Sequence, residues 1–216
     1  MTRIKICGLS RLEDVAGVNA AMPDFAGFVM NVPGSRRSIG IETLKRLSPA
    51  LDPAIIPVGV FVDAPRELII RLFKERLIRV VQLHGSEDET YIQELLKDLC
   101  PGDGPPPVIR AFKVTDAKDV ARANACSAPM VLLDGGAGDG KCFDWSLLKE
   151  VRRPFMMAGG LNVQNLAQAL DAVSPWAVDL SSGAETEGVK DREKIMQLVS
   201  LVRRHRRPED QISGSL

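Results

Sequence analysis

The chain has 216 residues, 28 basic and 28 acidic, with a formal net charge of zero. That length buries one large core, and α/β barrels of this size occur as one domain, so a two-domain division is unnecessary. The balanced charge gives no basic excess for nucleic acid to meet and leaves small molecules as the expected partners.

Taken in chain order, short apolar runs fall at roughly 3–7, 25–30, 55–62, 78–83, 108–113, 129–134, 154–158 and 176–181. Amphipathic stretches with apolar residues at three- and four-residue spacing lie between them: Arg11 to Ala21, Pro65 to Arg76, Asp88 to Leu99, Asp116 to Ala125 and Asn162 to Ala172. Pro65 suits a first helical turn, and Asp88, Asp116 and Asn162 suit N-caps. Alternation of this kind means parallel β-α-β units, and eight runs make a closed (β/α)8 TIM barrel over residues 1–207, followed by a polar tail at 208–216. An open doubly wound sheet is the rival fold, but Cys7-Gly8-Leu9-Ser10 after the first run is not a dinucleotide fingerprint. The stretch Cys100 to Pro107 cannot continue a helix and reads as a structural loop on the barrel face away from the site. The basic run Arg203 to Arg207 suits the negative end of the last helix dipole.

Cys7, Cys100, Cys126 and Cys142 form no C-x-x-C pair and neither histidine sits at ligand spacing, so no metal site is expected. Reduced thiols, an N-terminus that alternates charged and apolar residues, and the lack of an apolar run of ~18 residues point to the cytoplasm, away from membranes.

In a parallel barrel the carboxyl ends of all strands share one face, where reactive groups gather. Cys7 ends the first run, although a lone cysteine is more often a small buried hydrophobe. Asp134 ends Met130-Val131-Leu132-Leu133, where desolvation by its neighbours would raise its pKa and make it a general acid; a cap or salt-bridge partner is the plainer reading. The loops after runs seven and eight hold Gly159-Gly160 and Ser181-Ser182-Gly183, a composition for binding phosphate through backbone N–H groups and hydroxyls, or for tight turns alone. Arg37, in the loop after run two, is a bidentate fork for a carboxylate, or a solvated surface group.

Ile4-Lys5-Ile6-Cys7-Gly8-Leu9, Val60-Phe61-Val62, Val81-Gln82-Leu83-His84-Gly85, Leu132-Leu133-Asp134, Gly140-Lys141-Cys142-Phe143-Asp144-Trp145, Ala158-Gly159-Gly160-Leu161, Asp179-Leu180-Ser181-Ser182-Gly183-Ala184-Glu185 and Gly188-Val189-Lys190-Asp191 resemble, in order, the phosphoribosylanthranilate isomerase family of tryptophan biosynthesis. The resemblance implies Cys7 as general base, Asp134 as general acid, Arg37 on the anthranilate carboxylate, Gln82 and His84 as further substrate contacts, and Gly159, Gly160, Ser181, Ser182 and Gly183 around the phosphate. It implies an Amadori rearrangement of a phosphoribosyl substrate with no cofactor, by a monomer or homodimer. The family's proline before the carboxylate-binding arginine is Arg36 here, the loop after Asp134 is short, and Asp139 stands where serine or threonine is usual. A thiolate base needs positive potential, since a free cysteine has a pKa of about 8.5, and Lys5 lies two residues away on the same strand. Barrel isomerases of histidine biosynthesis place aspartate where Cys7 stands; indole-glycerol phosphate synthases need a lysine and glutamate with no convincing motif here; a non-catalytic phosphate-binding barrel leaves the Cys7 and Asp134 pair unexplained.

Overall fold

The computed structural model describes residues 1–99, 107–136 and 145–205. Most of the Cys100 to Pro107 loop, Cys142, Asp139 and the tail lie outside them. Eight parallel strands, β1 (Arg3–Cys7), β2 (Phe25–Met30), β3 (Ile56–Phe61), β4 (Val80–Leu83), β5 (Val108–Lys113), β6 (Met130–Asp134), β7 (Phe155–Ala158) and β8 (Ala177–Leu180), pair in sequence order, and β1 pairs with both β2 and β8 to close the barrel. The connections carry α1 (Leu12–Ala21), α2 (Ile41–Leu47), α3 (Arg66–Lys74), α4 (Glu89–Leu99), α5 (Ala117–Ala125), α6 (Leu166–Val173) and α7 (Arg192–Arg204), with a 3-10 segment, Trp145–Glu150, before β7.

The caps follow local chemistry. Asp116 accepts from Lys118 N and Asp119 N, and Asp191 accepts from Glu193 N and Lys194 N, occupying backbone donors that a helix start leaves free. Two expectations shift. Asn162 does not cap α6 directly: its Oδ1 accepts from Gln164 N and Asn165 N, which holds a turn, and the helix begins at Leu166. Pro65 is the N-cap of α3 rather than its first helical residue. Beyond β2, Ser38–Ile39 extends the sheet by pairing with Val29 and Met30.

Two packed layers result. The outward strand residues, such as Ile4, Ile6, Phe28 and Leu133, are fully buried beneath the helices. Inside the barrel, Phe25, Val58, Ile109, Leu132, Met156 and Ala177 form a separate apolar cluster, packed against Trp176 at the strands' amino ends. Because side chains on one face recur every second residue, a two-residue step toward the carboxyl end moves from this apolar floor to the polar mouth. Leu132 gives way to Asp134, Ala177 to Asp179, and Val80 to Gln82.

Candidate active site

A cavity of about 590 Å³ opens at the carboxyl ends of the strands, the size class of small-molecule sites. Cys7, Arg36, Arg37, Gln82, His84, Asp134, Gly159, Gly160, Ser181 and Ser182 all line it, joined by Asp179. Gly183 does not. It borders an adjoining recess of about 290 Å³ with Gly160, Ser182, Glu185 and Lys194. A Cβ at Gly183 would stand 1.9 Å from the Leu161 carbonyl oxygen, so this glycine lets the loops after β7 and β8 touch.

Cys7 is buried at the end of β1, its side chain on the same face as Lys5. Burial pushes its thiol up, against the pull of the Lys5 and Lys190 ammonium groups. Lys5 is fully buried and pairs with both oxygens of Asp179 at 3.0 Å. That bond crosses from β1 to β8 at a register pair, which only barrel closure creates.

Asp134 departs from expectation. Its side chain is 29% exposed rather than desolvated, because the strand end faces the open cavity. Its Oδ1 accepts from Gly136 N at 2.8 Å, which fixes the carboxylate against the Gly135-Gly136 backbone. Gly159, at φ +99, supports this placement from below, since a Cβ there would lie 2.8 Å from Asp134 Oδ1 and 2.6 Å from Gly135 N. His84 Nε2 faces Asp134 Oδ2 at 3.8 Å, while His84 Nδ1 lies 3.0 Å from Gln82 Nε2. Burial pushes the His84 imidazole below its ordinary value, so it is neutral near pH 7.

The β4 loop that carries His84 is braced from below. Glu87 accepts from Asp63 N, Gly85 N and Arg110 Nη1, at 2.9, 2.9 and 2.8 Å, and Arg110 also donates to the Leu83 and Gly85 carbonyls. Both partners are buried. Removing one charge strands the other, so Arg110→Met is expected to lower unfolding free energy by about 3–5 kcal/mol in urea denaturation.

Arg37 is not a solvated surface group. Its Nε and Nη2 hold Glu185 Oε1 and Oε2 at 2.6 and 2.8 Å, and its side chain lies over Gly8, where a Cβ would sit 2.4 Å from Cδ. Glu185 is itself buried and also takes Arg36 Nη2 and Lys190 Nζ, both at 2.6 Å. The surrounding cations bring its carboxyl down to about 2. Three cations on one carboxylate leave an electropositive rim, and Arg37, which holds Glu185 through Nε and Nη2, is placed deeper than Arg36, whose side chain is 58% exposed. Sequence reasoning assigned no role to Asp179, Glu185 or Lys190, although all three stand in quoted motifs. Ser181 was expected to offer its hydroxyl to phosphate; instead Oγ donates to the Cys7 carbonyl at 3.1 Å and ties β8 to β1.

Among the described residues, no group of three or more histidine, cysteine, aspartate or glutamate side chains could hold a metal ion, and no helix is long and apolar enough to cross a membrane.

The family model for N-(5'-phosphoribosyl)anthranilate isomerase matches residues 4–201. The enzyme of that name from Endomicrobium trichonymphae is 46% identical over 94% of this chain and 99% of its own length. The solved phosphoribosyl anthranilate isomerase from Thermotoga maritima superposes with a TM-score of 0.80 at 36% identity, covering 94% of this chain and 99% of that one. A second solved isomerase, in complex with reduced 1-(o-carboxyphenylamino)-1-deoxyribulose 5-phosphate, gives 0.79 at 34% identity with the same coverage. Lengthwise matches of this identity, on a barrel that gathers the family's motif residues around one cavity, show that the chain belongs to the phosphoribosylanthranilate isomerase family.

Proposed function

We propose that the cavity carries out the Amadori rearrangement of N-(5'-phosphoribosyl)anthranilate to 1-(o-carboxyphenylamino)-1-deoxyribulose 5-phosphate, a step of tryptophan biosynthesis. The observation that carries this reading is the placement of Cys7 and Asp134 on one cavity, at the ends of β1 and β6, with Arg37 at the rim and the two glycine- and serine-bearing loops beside it. Asp134 gives its proton to the furanose ring oxygen, the C1' to ring-oxygen bond breaks, and the anthranilate nitrogen carries the iminium. Cys7, as thiolate, takes the proton from C2', and the electron pair of that bond neutralises the iminium to an enolamine, which tautomerises to the ketone. Residues 1–207 act as the catalytic barrel and 208–216 as an appendage, in a cytoplasmic monomer or homodimer.

The substrate spans the mouth. Its phosphate lies against Gly159, Gly160, Ser181, Ser182 and Gly183 through backbone donors, with Ser182 rather than Ser181 offering a hydroxyl, and its anthranilate carboxylate takes the open side of Arg37. Gln82 and His84 border the ribose between these ends. Gly160 has φ +63, so Gly160→Val combines backbone strain with a side chain in the phosphate space. We expect its KM to rise strongly, with inorganic phosphate competing in wild type and in Arg37→Ala but poorly in Gly160→Val. Equal competition in all three contradicts the assigned phosphate loops. Growth of a tryptophan auxotroph lacking this isomerase, when supplied with this chain, tests the activity in cells; failure to rescue despite soluble expression counts against it.

A further inference from the structure

Cys7 poses an electrostatic problem. A base must be a thiolate for part of its cycle, yet Sγ sits in a buried position where desolvation favours the neutral thiol. The solution has to be a cation brought in with it. Lys5 is among the largest fully buried side chains of the described residues, and lies on the same face of β1 as Cys7. A Cβ at Gly27, the β2 residue in register with Cys7, would stand 2.8 Å from Cys7 Sγ and 3.0 Å from Lys5 Cε. The two side chains therefore run together over a glycine that leaves room for both. The ammonium hydrogen-bonds both Asp179 oxygens, so its charge is fixed beside the point over Gly27 that Cys7 Sγ also borders.

We infer that Lys5, pinned by Asp179, is the positioning residue that supplies Cys7 with its thiolate and aims Sγ into the cavity, an assignment that rests on Cys7 being the base proposed above. Asp179 has two opposed effects. It holds the ammonium charged and in place, and its own charge opposes the thiolate. The other charges facing Cys7 are Lys190, from the hairpin after β8, and Arg37, from the loop after β2. Both already share Glu185, which leaves Lys5, beside Cys7 on β1, as the cation assigned to Sγ.

The test is the titration of Cys7, followed by thiolate ultraviolet absorbance as the difference between each protein and the same protein carrying Cys7→Ser. Lys5→Met is expected to move the Cys7 midpoint up by about one unit or more, the scale of losing an adjacent opposite charge. Asp179→Asn should move it down, because the ammonium then has the thiolate as its main counter-charge. Where Lys5→Met does not fold, Lys5→Met/Asp179→Asn keeps the interior neutral and should still raise the midpoint. In activity, Lys5→Met should lower kcat about tenfold or more near neutral pH, recovering as pH rises, with KM little changed. A midpoint that stays put in folded Lys5→Met or the double variant, or that moves the same way in Lys5→Met and Asp179→Asn, overturns the assignment. A Cys7→Ser enzyme with near-normal turnover defeats the base reading instead, while a shifted midpoint would still identify Lys5 as the cation on Sγ.

Discussion

Cys7→Ser and Asp134→Asn are each expected to lower kcat by about 100-fold or more while leaving the fold intact, the scale of a lost general acid or base. A serine hydroxyl at the end of β1 has the same neighbours but is a far weaker base than a thiolate, even beside Lys5. An amide at residue 134 can still face His84, yet it has no proton to give the ring oxygen. Neither change removes packing that the barrel depends on, since Cys7 is small and Asp134 is 29% exposed. Steady-state kinetics on each purified variant, with circular dichroism to confirm the fold, decide the matter. Near-normal turnover removes that residue from its role. Cys126→Ser is the control: this cysteine is buried outside the cavity, in the layer beneath the helices, and should change stability more than rate.

The second large effect is expected at Glu185. Its carboxylate, whose side chain is 4% exposed, is the shared anion of Arg36, Arg37 and Lys190, and Lys190 is 2% exposed. Glu185→Gln leaves a buried ammonium without its counter-charge and frees the Arg37 fork, so a loss of about 3–5 kcal/mol in stability is expected. KM should rise about tenfold, ~1.4 kcal/mol, as Arg37 loses its fixed position. Arg37→Ala should weaken binding by about 1.5–3 kcal/mol, the worth of a charge-assisted hydrogen bond, and Arg36→Ala less, because Arg36 reaches Glu185 from solvent. The larger effect falling on Arg36 would shift the carboxylate contact by one residue. The stability effect also has a pH signature. The Glu185 carboxyl lies at about 2 in the folded protein against an ordinary 4.5, so its contribution is complete above about pH 4.5 and is lost as pH falls toward 2. The stability gap between wild type and Glu185→Gln should therefore narrow on acidification through that window. A gap that stays constant would mean that the carboxylate charge is not what holds the cluster.

The barrel was legible in the sequence because strand and helix periods differ. β1, β2 and β5 span 3–7, 25–30 and 108–113, as their apolar runs indicate, and the other strands differ at their ends by one or two residues. Cys7 and Asp134 were legible for a related reason, since a polar group that ends an apolar run in a parallel barrel has the mouth as its destination. What the chain hid were pairings made by closure. Lys5 and Asp179 are 174 residues apart, and Arg37 and Glu185 are 148 apart; no local pattern couples them before β8 is set beside β1. Arg37 read as exposed because its partner arrives from the far end of the chain. The desolvation expected of Asp134 failed since Met130 to Leu133 describe the strand's walls, whereas the carboxylate projects beyond them into the cavity. Ser181 likewise looked like a free donor until β8 lay beside β1, where the Cys7 carbonyl takes its hydroxyl.

The most direct measurement is to supply N-(5'-phosphoribosyl)anthranilate to the purified chain and follow its anthranilate fluorescence. Fluorescence should fall catalytically with wild type and about 100-fold or more slowly with Cys7→Ser and with Asp134→Asn. Folded wild-type protein that leaves saturating substrate unchanged contradicts the isomerase assignment.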